Sequence, residues 1–305
     1  MLYHYLAFGI PIVSEVQLPA LVPAFENSEP TNPVYVKLGS VPTELPGEVS
    51  SPDGNTLCSI NEMIYSIPEK IRFYIANGSE ITIESINGDY AANLIYFYSN
   101  CLAAILYQRG LIPFHVSGVF TGTEKITLFA AASGTGKSTL AVKLQELGYK
   151  IFTDDTAVLF IRDGKCYAQA SYPMIRLWEN SFQQQDLLQE SDKTTLYPDD
   201  ELDKYGFSFH NVFAAKPIEV ERIIFLEKAG VNLSIKAING SKMFEQLADN
   251  VYRCHWIPAL KKNLLQFQLI SEILRIVPCF LAKRPGEVNS INSFPLEIKK
   301  YLQAQ

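Results

Sequence analysis

The residues best suited to chemistry in this 305-residue chain lie in Ala131-Ala132-Ser133-Gly134-Thr135-Gly136-Lys137-Ser138, after the apolar run 126–130 and before a helix-like run at 139–147. Strand, glycine-containing loop and helix in that order can turn backbone N–H groups toward a phosphate chain. The helix adds the positive end of its dipole, and Lys137 adds a full charge. Ser133, Gly134, Thr135, Gly136, Lys137, Ser138 and Thr139 are therefore the expected nucleotide contacts, with the Ser138 hydroxyl on Mg²⁺. The strict form of this pattern opens with glycine, and Ala131 stands there instead. Alanine suffices if that residue keeps a negative φ, since only a positive φ strongly favours glycine.

Downstream, Tyr149-Lys150-Ile151-Phe152-Thr153-Asp154-Asp155 reads as a strand ending in two carboxylates. An acidic residue at a strand end near a phosphate loop commonly faces the metal and the reacting phosphate. Asp154 is the candidate for accepting a hydroxyl proton and Asp155 for orienting Mg²⁺, with the two roles open to exchange. Neighbours on a regular strand point to opposite faces, so both carboxylates reach one site only where the strand bends. Upstream, 111–120 reads as a strand joined through a turn at Gly122 to the strand before the loop. That places His115 in the sheet beside the phosphate site, where its protonation would tune the transferred phosphate or the Asp pair. Arg176, Lys193, Lys204, Lys216 and Arg222 follow this core; they could approach phosphate or an acidic peptide end, but are expected as solvated surface charge.

The elements that must position these groups show in the periodicity. Leu140, Leu144 and Leu147 give the helix after the loop an apolar stripe, and Gly148 supplies its stop. The runs 157–161 and 166–170 flank Arg162-Asp163-Gly164-Lys165, whose central Asp-Gly pair favours a tight hairpin. An ordinary phosphate-loop protein would continue with a crossover helix, so the loop is expected on a mixed sheet. A further strand is expected at 217–227, helices at 241–251, 262–276 and 295–302, and a polar, acidic loop at 189–204. Residues 1–90 read as a β-rich domain with strands at 5–13, 34–38, 63–67, 71–75 and 80–86, and 91–305 as the domain around the loop. The most apolar stretch, 91–108, is interrupted by Asn93, Ser99, Asn100 and Gln108. It reads as a buried core helix rather than the span of about 20 apolar residues that a membrane requires.

Composition narrows the function classes. With 48% hydrophobic residues the chain can bury a sizeable core, and its formal charge of −6 without a Lys/Arg cluster argues against nucleic-acid binding. Five scattered cysteines without a C-x-x-C pair fit free thiols in a reducing compartment. The start, Met1-Leu2-Tyr3-His4-Tyr5, lacks the regions of a secretory leader, so a cytoplasmic location is expected.

The combination of Phe114-His115-Val116-Ser117-Gly118, Ser133-Gly134-Thr135-Gly136-Lys137-Ser138, Gly148-Tyr149-Lys150 and Asp154-Asp155 resembles the HPr serine kinase family. That family shares its fold and phosphate loop with phosphoenolpyruvate carboxykinases. The resemblance implies an α/β protein, a mixed-sheet P-loop kinase core of the carboxykinase type with a small β-rich N-terminal domain. It also implies ATP and Mg²⁺ as cofactors and a serine hydroxyl as acceptor, with Lys137 and the loop N–H groups stabilising phosphate charge. Over its full length the chain is similar to the HPr-kinase-like proteins found with lasso-peptide biosynthesis, through Ala7-Phe8-Gly9-Ile10-Pro11-Ile12-Val13-Ser14, Gln108-Arg109-Gly110 and Pro173-Met174-Ile175-Arg176-Leu177-Trp178. This implies a precursor peptide or small protein as partner, with neither nucleic acid nor membrane.

The sequence lacks the Gly-rich signature that follows the core in bifunctional HPr kinase/phosphorylases, which argues against phosphorolysis and against HPr as substrate. A carboxykinase would need a substrate-carboxylate site that the sequence does not show. Two other functions stay open: an ATP-sensing regulator without transfer, and a kinase of free serine or another small hydroxyl metabolite.

Overall fold

The computed structural model describes residues 1–24, 30–196, 203–229, 232–286 and 290–304. Two compact units emerge. One is made chiefly of Met1–Pro113 and Tyr252–Phe267, the other of Phe114–Thr195, Asp203–Val251 and Gln268–Gln305. The helical segment expected to open the second domain at residue 91 thus groups with the first unit. Its end is clamped to the Asn77-Gly78 turn. Gly78 N–H donates to Gln108 Oε1 at 2.7 Å, Gln108 Nε2 donates to Ile75 O at 3.1 Å, and Arg109 Nε donates to Gly78 O at 2.6 Å. The rest of that segment is buried as the apolar run demands, with Leu102 to Tyr107 all inside.

The first unit carries a nine-stranded mixed sheet with Val22–Pro23 and Ser50–Asp53 at its edges. The stretch 5–13, expected as one strand, is a hairpin of Tyr3–Ala7 and Ile10–Ser14. Ala7 pairs with Ile10, and the residues between them, Phe8 (φ 52°) and Gly9 (φ 69°), are both left-handed. That is the two-residue turn whose twist matches its strands. A phenylalanine seldom adopts this conformation, which is why the run looked continuous.

The second unit is built on a mixed sheet. Lys125–Ala130 runs parallel to Ile218–Lys228 on one side and antiparallel to Val116–Phe120 on the other, and Val116–Phe120 pairs in turn with Ile151–Thr153. The far edge of Ile218–Lys228 is shared by Lys165–Ala170 and Cys279–Arg284. The hairpin Ala157–Arg162/Lys165–Ala170 turns at Asp163 (φ 51°) and Gly164 (φ 72°), as the Asp-Gly pair requires. The expected strand at 217–227 is therefore present, and it enters the middle of the sheet.

Helix Lys137–Glu146 follows the loop and is packed on two sides. Leu140 and Leu144 join Val119, Phe129 and Ile224 of the sheet and Phe294, Ile298 and Leu302 of helix Ser293–Gln303. Val142 meets Ile151, Ile175, Leu177 and Phe207, so that the apolar face of a small sheet, Met174–Trp178, Thr194–Thr195 and Lys204–Ser208, covers the other flank. Each fully buried aliphatic or aromatic side chain of this kind contributes about 1.5–3 kcal/mol. Helices Gly240–Asp249 and Asn263–Ile276 stand where the periodicity placed them. Of the polar stretch 189–204, residues 197–202 lie outside the described residues, while Glu190–Asp192 forms a short helical turn. Among the described residues no helix is long and apolar enough to cross a membrane.

Candidate active site

The loop leaves the C-terminal end of Lys125–Ala130, a fully framed strand, and enters helix Lys137–Glu146. Gly134 (φ 78°) and Gly136 (φ 101°) take the left-handed conformations that let backbone N–H groups converge. Ala131 is not left-handed; it is 3% exposed and packs in the core beside Phe129 and Leu140. Its methyl therefore fits where the strict pattern has glycine. Ser133 and Gly134 are exposed at the loop tip, while Thr135, Gly136, Ser138 and Thr139 are half-buried.

Lys137 folds back on the loop. Its Nζ donates to Ala131 O at 2.5 Å and to Ala132 O at 3.4 Å, and the residue is 5% exposed. Burial lowers its pKa to about 8 against the pull of Asp154 and Asp155, with Lys204 adding to the fall. An ammonium held on carbonyl oxygens in a dry pocket is poised to exchange them for phosphate oxygens.

The strand carrying the Asp pair stops at Thr153, and both carboxylates sit in the turn after it. Thr156 N–H donates to Asp154 O at 2.9 Å, closing a three-residue turn around Asp155, whose φ is 69°. Such a turn is rare and strained, and strain of this kind collects at functional sites. It supplies the bend without which two neighbours could not serve one site.

The turn gives the two carboxylates different surroundings. Asp154 is 1% exposed. Its Oδ1 accepts from Ser117 Oγ at 2.5 Å and its Oδ2 from the Arg176 N–H at 3.0 Å. Asp155 faces a guanidinium and an imidazole instead: Arg176 Nη1 lies 3.0 Å from its Oδ2 and His115 Nδ1 lies 3.7 Å from its Oδ1. Burial pushes the Asp155 pKa up, yet Arg176, His115, Lys204 and Lys137 together hold it down at about 2.

His115 interrupts the sheet rather than lying within a strand. It fills the one-residue break between Pro113–Phe114 and Val116–Phe120, and its N–H donates to Asn250 O at 2.7 Å. Its Nδ1 is 2.7 Å from the Asp155 carbonyl oxygen, and a carbonyl only accepts, so that nitrogen carries the proton. Burial lowers the ring's pKa despite the attraction of Asp155, with Lys137 reinforcing the fall, so the imidazole is neutral at pH 7.

A cleft of about 360 Å³ adjoins the other side of the loop, lined by Gly134, Gly136, Thr139, Lys228, Arg284 and Phe294, among others. Arg284 Nη2 donates to Thr135 O at 2.6 Å, and a Cβ on Gly136 would come within 3.3 Å of that nitrogen. Lys228 and Arg284 are opposed residues at the C-terminal ends of parallel strands, where ligands of open α/β sheets collect.

No family model and no curated protein sequence matches the chain. Among solved structures, the HPr(Ser) kinase/phosphatase from Coxiella burnetii is similar over 63% of this chain and 94% of that one, with a TM-score of 0.34 and 12% identity. That overlap is loose, and the function drawn below rests on the residues of the site.

Those residues fit a nucleoside triphosphate with Mg²⁺. The left-handed glycines shape a cradle, Lys137, Arg284 and Lys228 bring positive charge, and Ser138 stands in the first helical turn. Mg²⁺ in phosphate chemistry takes one or two protein oxygens and completes its shell with phosphate and water. Sequence reasoning passed over Arg176 and Arg284. Arg176 was expected as surface charge but is 5% exposed and bound to Asp155, and Arg222 is also buried, paired with Glu221 at 3.0 Å. A signal for Arg176 existed: a lone charge inside the apolar run 174–178 is rarely buried unless paired. Arg284 had no local signal, because only the parallel register of its strand brings it to the loop.

Proposed function

We propose that this chain is an ATP-dependent phosphotransferase that delivers the γ-phosphoryl group to a serine hydroxyl of a peptide or small protein, of the precursor-peptide kind implied by the sequence resemblance. One observation carries the reading. Lys137, folded onto the carbonyl oxygens of Ala131 and Ala132, and Asp155, held by Arg176 and His115, lie beyond the C-terminal ends of two strands that flank Val116–Phe120 and run the same way.

In this mechanism the loop N–H groups, Lys137 and Arg284 hold the phosphate chain and stabilise the charge that gathers on its oxygens as the bond to the leaving group breaks. Ser138 would hold Mg²⁺, which when bound would neutralise more of that charge. The acceptor oxygen forms its bond to the γ-phosphorus while the bond to the β–γ bridging oxygen breaks, giving a phosphomonoester and ADP. Asp155 Oδ1, the oxygen that Arg176 leaves to the site, receives the hydroxyl's hydrogen bond and then its proton, which passes to solvent. This gives Asp155 the base role expected of Asp154. Asp154 is the anchor that fixes the turn, since both of its oxygens are engaged and it is almost fully buried. His115 holds the Asp155 carbonyl and so sets the carboxylate's direction.

The test is ATP-dependent phosphate incorporation into serine peptides and into a small-metabolite pool, read by mass spectrometry. Transfer to peptide, lost in Asp155→Asn with Mg-ATP binding retained, is the expected result. Mg-ATP binding with no transfer to any acceptor would leave a nucleotide-sensing regulator. Transfer confined to free serine or another small alcohol would make this a metabolite kinase.

A further inference from the structure

The small sheet that covers helix Lys137–Glu146 has a second face. Opposed residues of antiparallel strands share a face and neighbours alternate. Ile175, Leu177 and Phe207 belong to the packed side. Arg176 opposite Gly206, and Trp178 opposite Lys204, therefore belong to the other. Arg176 on that face already reaches Asp155, so the face borders the reaction centre.

Two side chains stand out there, and they are cross-strand partners. Trp178 is 44% exposed, whereas Met174 to Leu177 before it in the same strand are buried. Lys204 is half-buried, and its ammonium forms no hydrogen bond or ion pair with a described residue; its Nζ rests 5.5 Å from the Trp178 ring centroid. The other cations of this small sheet are engaged, Arg176 by Asp155 and Lys193 by Glu179 and Glu190. Lys204 lies two residues from Gly206, the partner of Arg176, on the same face, which sets it at the rim of the same centre. It does not line the cleft beside the loop, where Lys228 and Arg284 already provide for the nucleotide.

We propose that Trp178 and Lys204 form the acceptor-docking shelf of the phosphotransfer site, and that the acceptor is an acidic peptide with a carboxylate close to its reacting hydroxyl. The indole receives the peptide's apolar surface and the ammonium pairs with its carboxylate. This names the substrate class for the proposed transfer and rests on that reading. The docking itself, however, can be measured without any transfer.

The experiment uses the full chain and two short synthetic peptides, one with a central serine flanked by glutamates and one with glutamines in their place. The chain has two tryptophans, and Trp256 is fully buried, so quenching by a bound peptide reports Trp178. The acidic peptide is expected to bind about tenfold tighter than the glutamine peptide, in line with a charge-assisted hydrogen bond in a partly buried setting. Lys204→Glu is expected to remove that preference and to favour a peptide with flanking lysines, while Mg-ATP affinity stays unchanged.

Equal binding of the acidic and glutamine peptides by the wild-type chain would overturn the proposal. So would a loss of Mg-ATP affinity in Lys204→Glu, since Lys204 would then serve the nucleotide's phosphates. Acidic-peptide preference lost with Lys204→Glu, but without transfer in the presence of Mg-ATP, would keep the shelf and refute the kinase. Trp178→Phe checks the origin of the signal.

Discussion

Arg176→Gln is the most informative perturbation of this site. It removes a guanidinium 3.0 Å from Asp155 Oδ2, in a pair whose side chains are only 4% and 12% exposed, and it leaves the backbone N–H that holds Asp154 in place. Burial pushes the Asp155 pKa up and Arg176 is the foremost group opposing it, with a balance at about 2. An opposite charge in contact lowers a carboxylate by about 1–3 units, so the variant's Asp155 should titrate between about 3 and about 5. Carboxyl ¹³C titration of aspartate-labelled protein reads this directly. The Asp155 signal is assigned by its absence in Asp155→Asn, a replacement that tolerates the left-handed φ.

The same shift has a stability counterpart. The folded-state pKa lies below the ordinary value of 3.8, so this contribution is present above about pH 3.8 and is lost as pH falls through about 2. It amounts to about 2 kcal/mol, since one pKa unit is worth about 1.4 kcal/mol. Arg176→Gln should abolish that acid-side gain, and at neutral pH it should cost about 3–5 kcal/mol because a buried charge has lost its partner. A signal still titrating near 2 in the variant, or near 4 in the wild type, would refute the claim that Arg176 sets the ionisation of Asp155.

Three further outcomes follow from the structure. Ser138→Ala should weaken Mn-ATP binding in paramagnetic titrations by about tenfold, the loss of one oxygen ligand, whereas Asp155→Asn should spare Mn-ATP binding and abolish transfer. A metal role for Asp155 would show as the reverse. Gly118→Ala should destabilise the second unit by about 1–3 kcal/mol in urea unfolding. A Cβ there meets Leu128 Cδ2 at 2.8 Å, and an unchanged midpoint would mean that Leu128 yields freely. Of the five free thiols only Cys254 is exposed, and burial raises Cys58 to about 11 and Cys166 and Cys279 to about 12. One rapid and four slow reactions with a thiol reagent are therefore expected in the native chain.

What the sequence disclosed about this fold was mostly local. The loop, its helix stripe at Leu140 and Leu144, and the Asp163-Gly164 hairpin depend on short-range spacing and φ preferences, which residue types report well. The hairpin at Phe8-Gly9 escaped because its first turn residue adopts a conformation its type seldom takes. The different surroundings of Asp154 and Asp155 escaped for another reason. They follow from Ser117 and Arg176, which lie far from the pair in sequence, on Val116–Phe120 and Met174–Trp178, and meet it only through the sheets. Arg284 reaches Thr135 by the same long-range route.

The insertion of Ile218–Lys228 between Lys125–Ala130 and Lys165–Ala170 bears on how the chain is made. During synthesis the glycine loop, the Asp pair and the hairpin all leave the ribosome before the strand that joins them. Parallel pairing across so long a separation is slow to form, and domains emerge from the N-terminal side. A nascent chain ending before residue 218 holds the loop, the Asp pair and both hairpins, but lacks the strand that joins them and lacks Lys228 and Arg284 beside the loop. Until that strand is made, Lys125–Ala130 and Lys165–Ala170 each keep one edge unpaired, and an unpaired edge is a template for joining another chain.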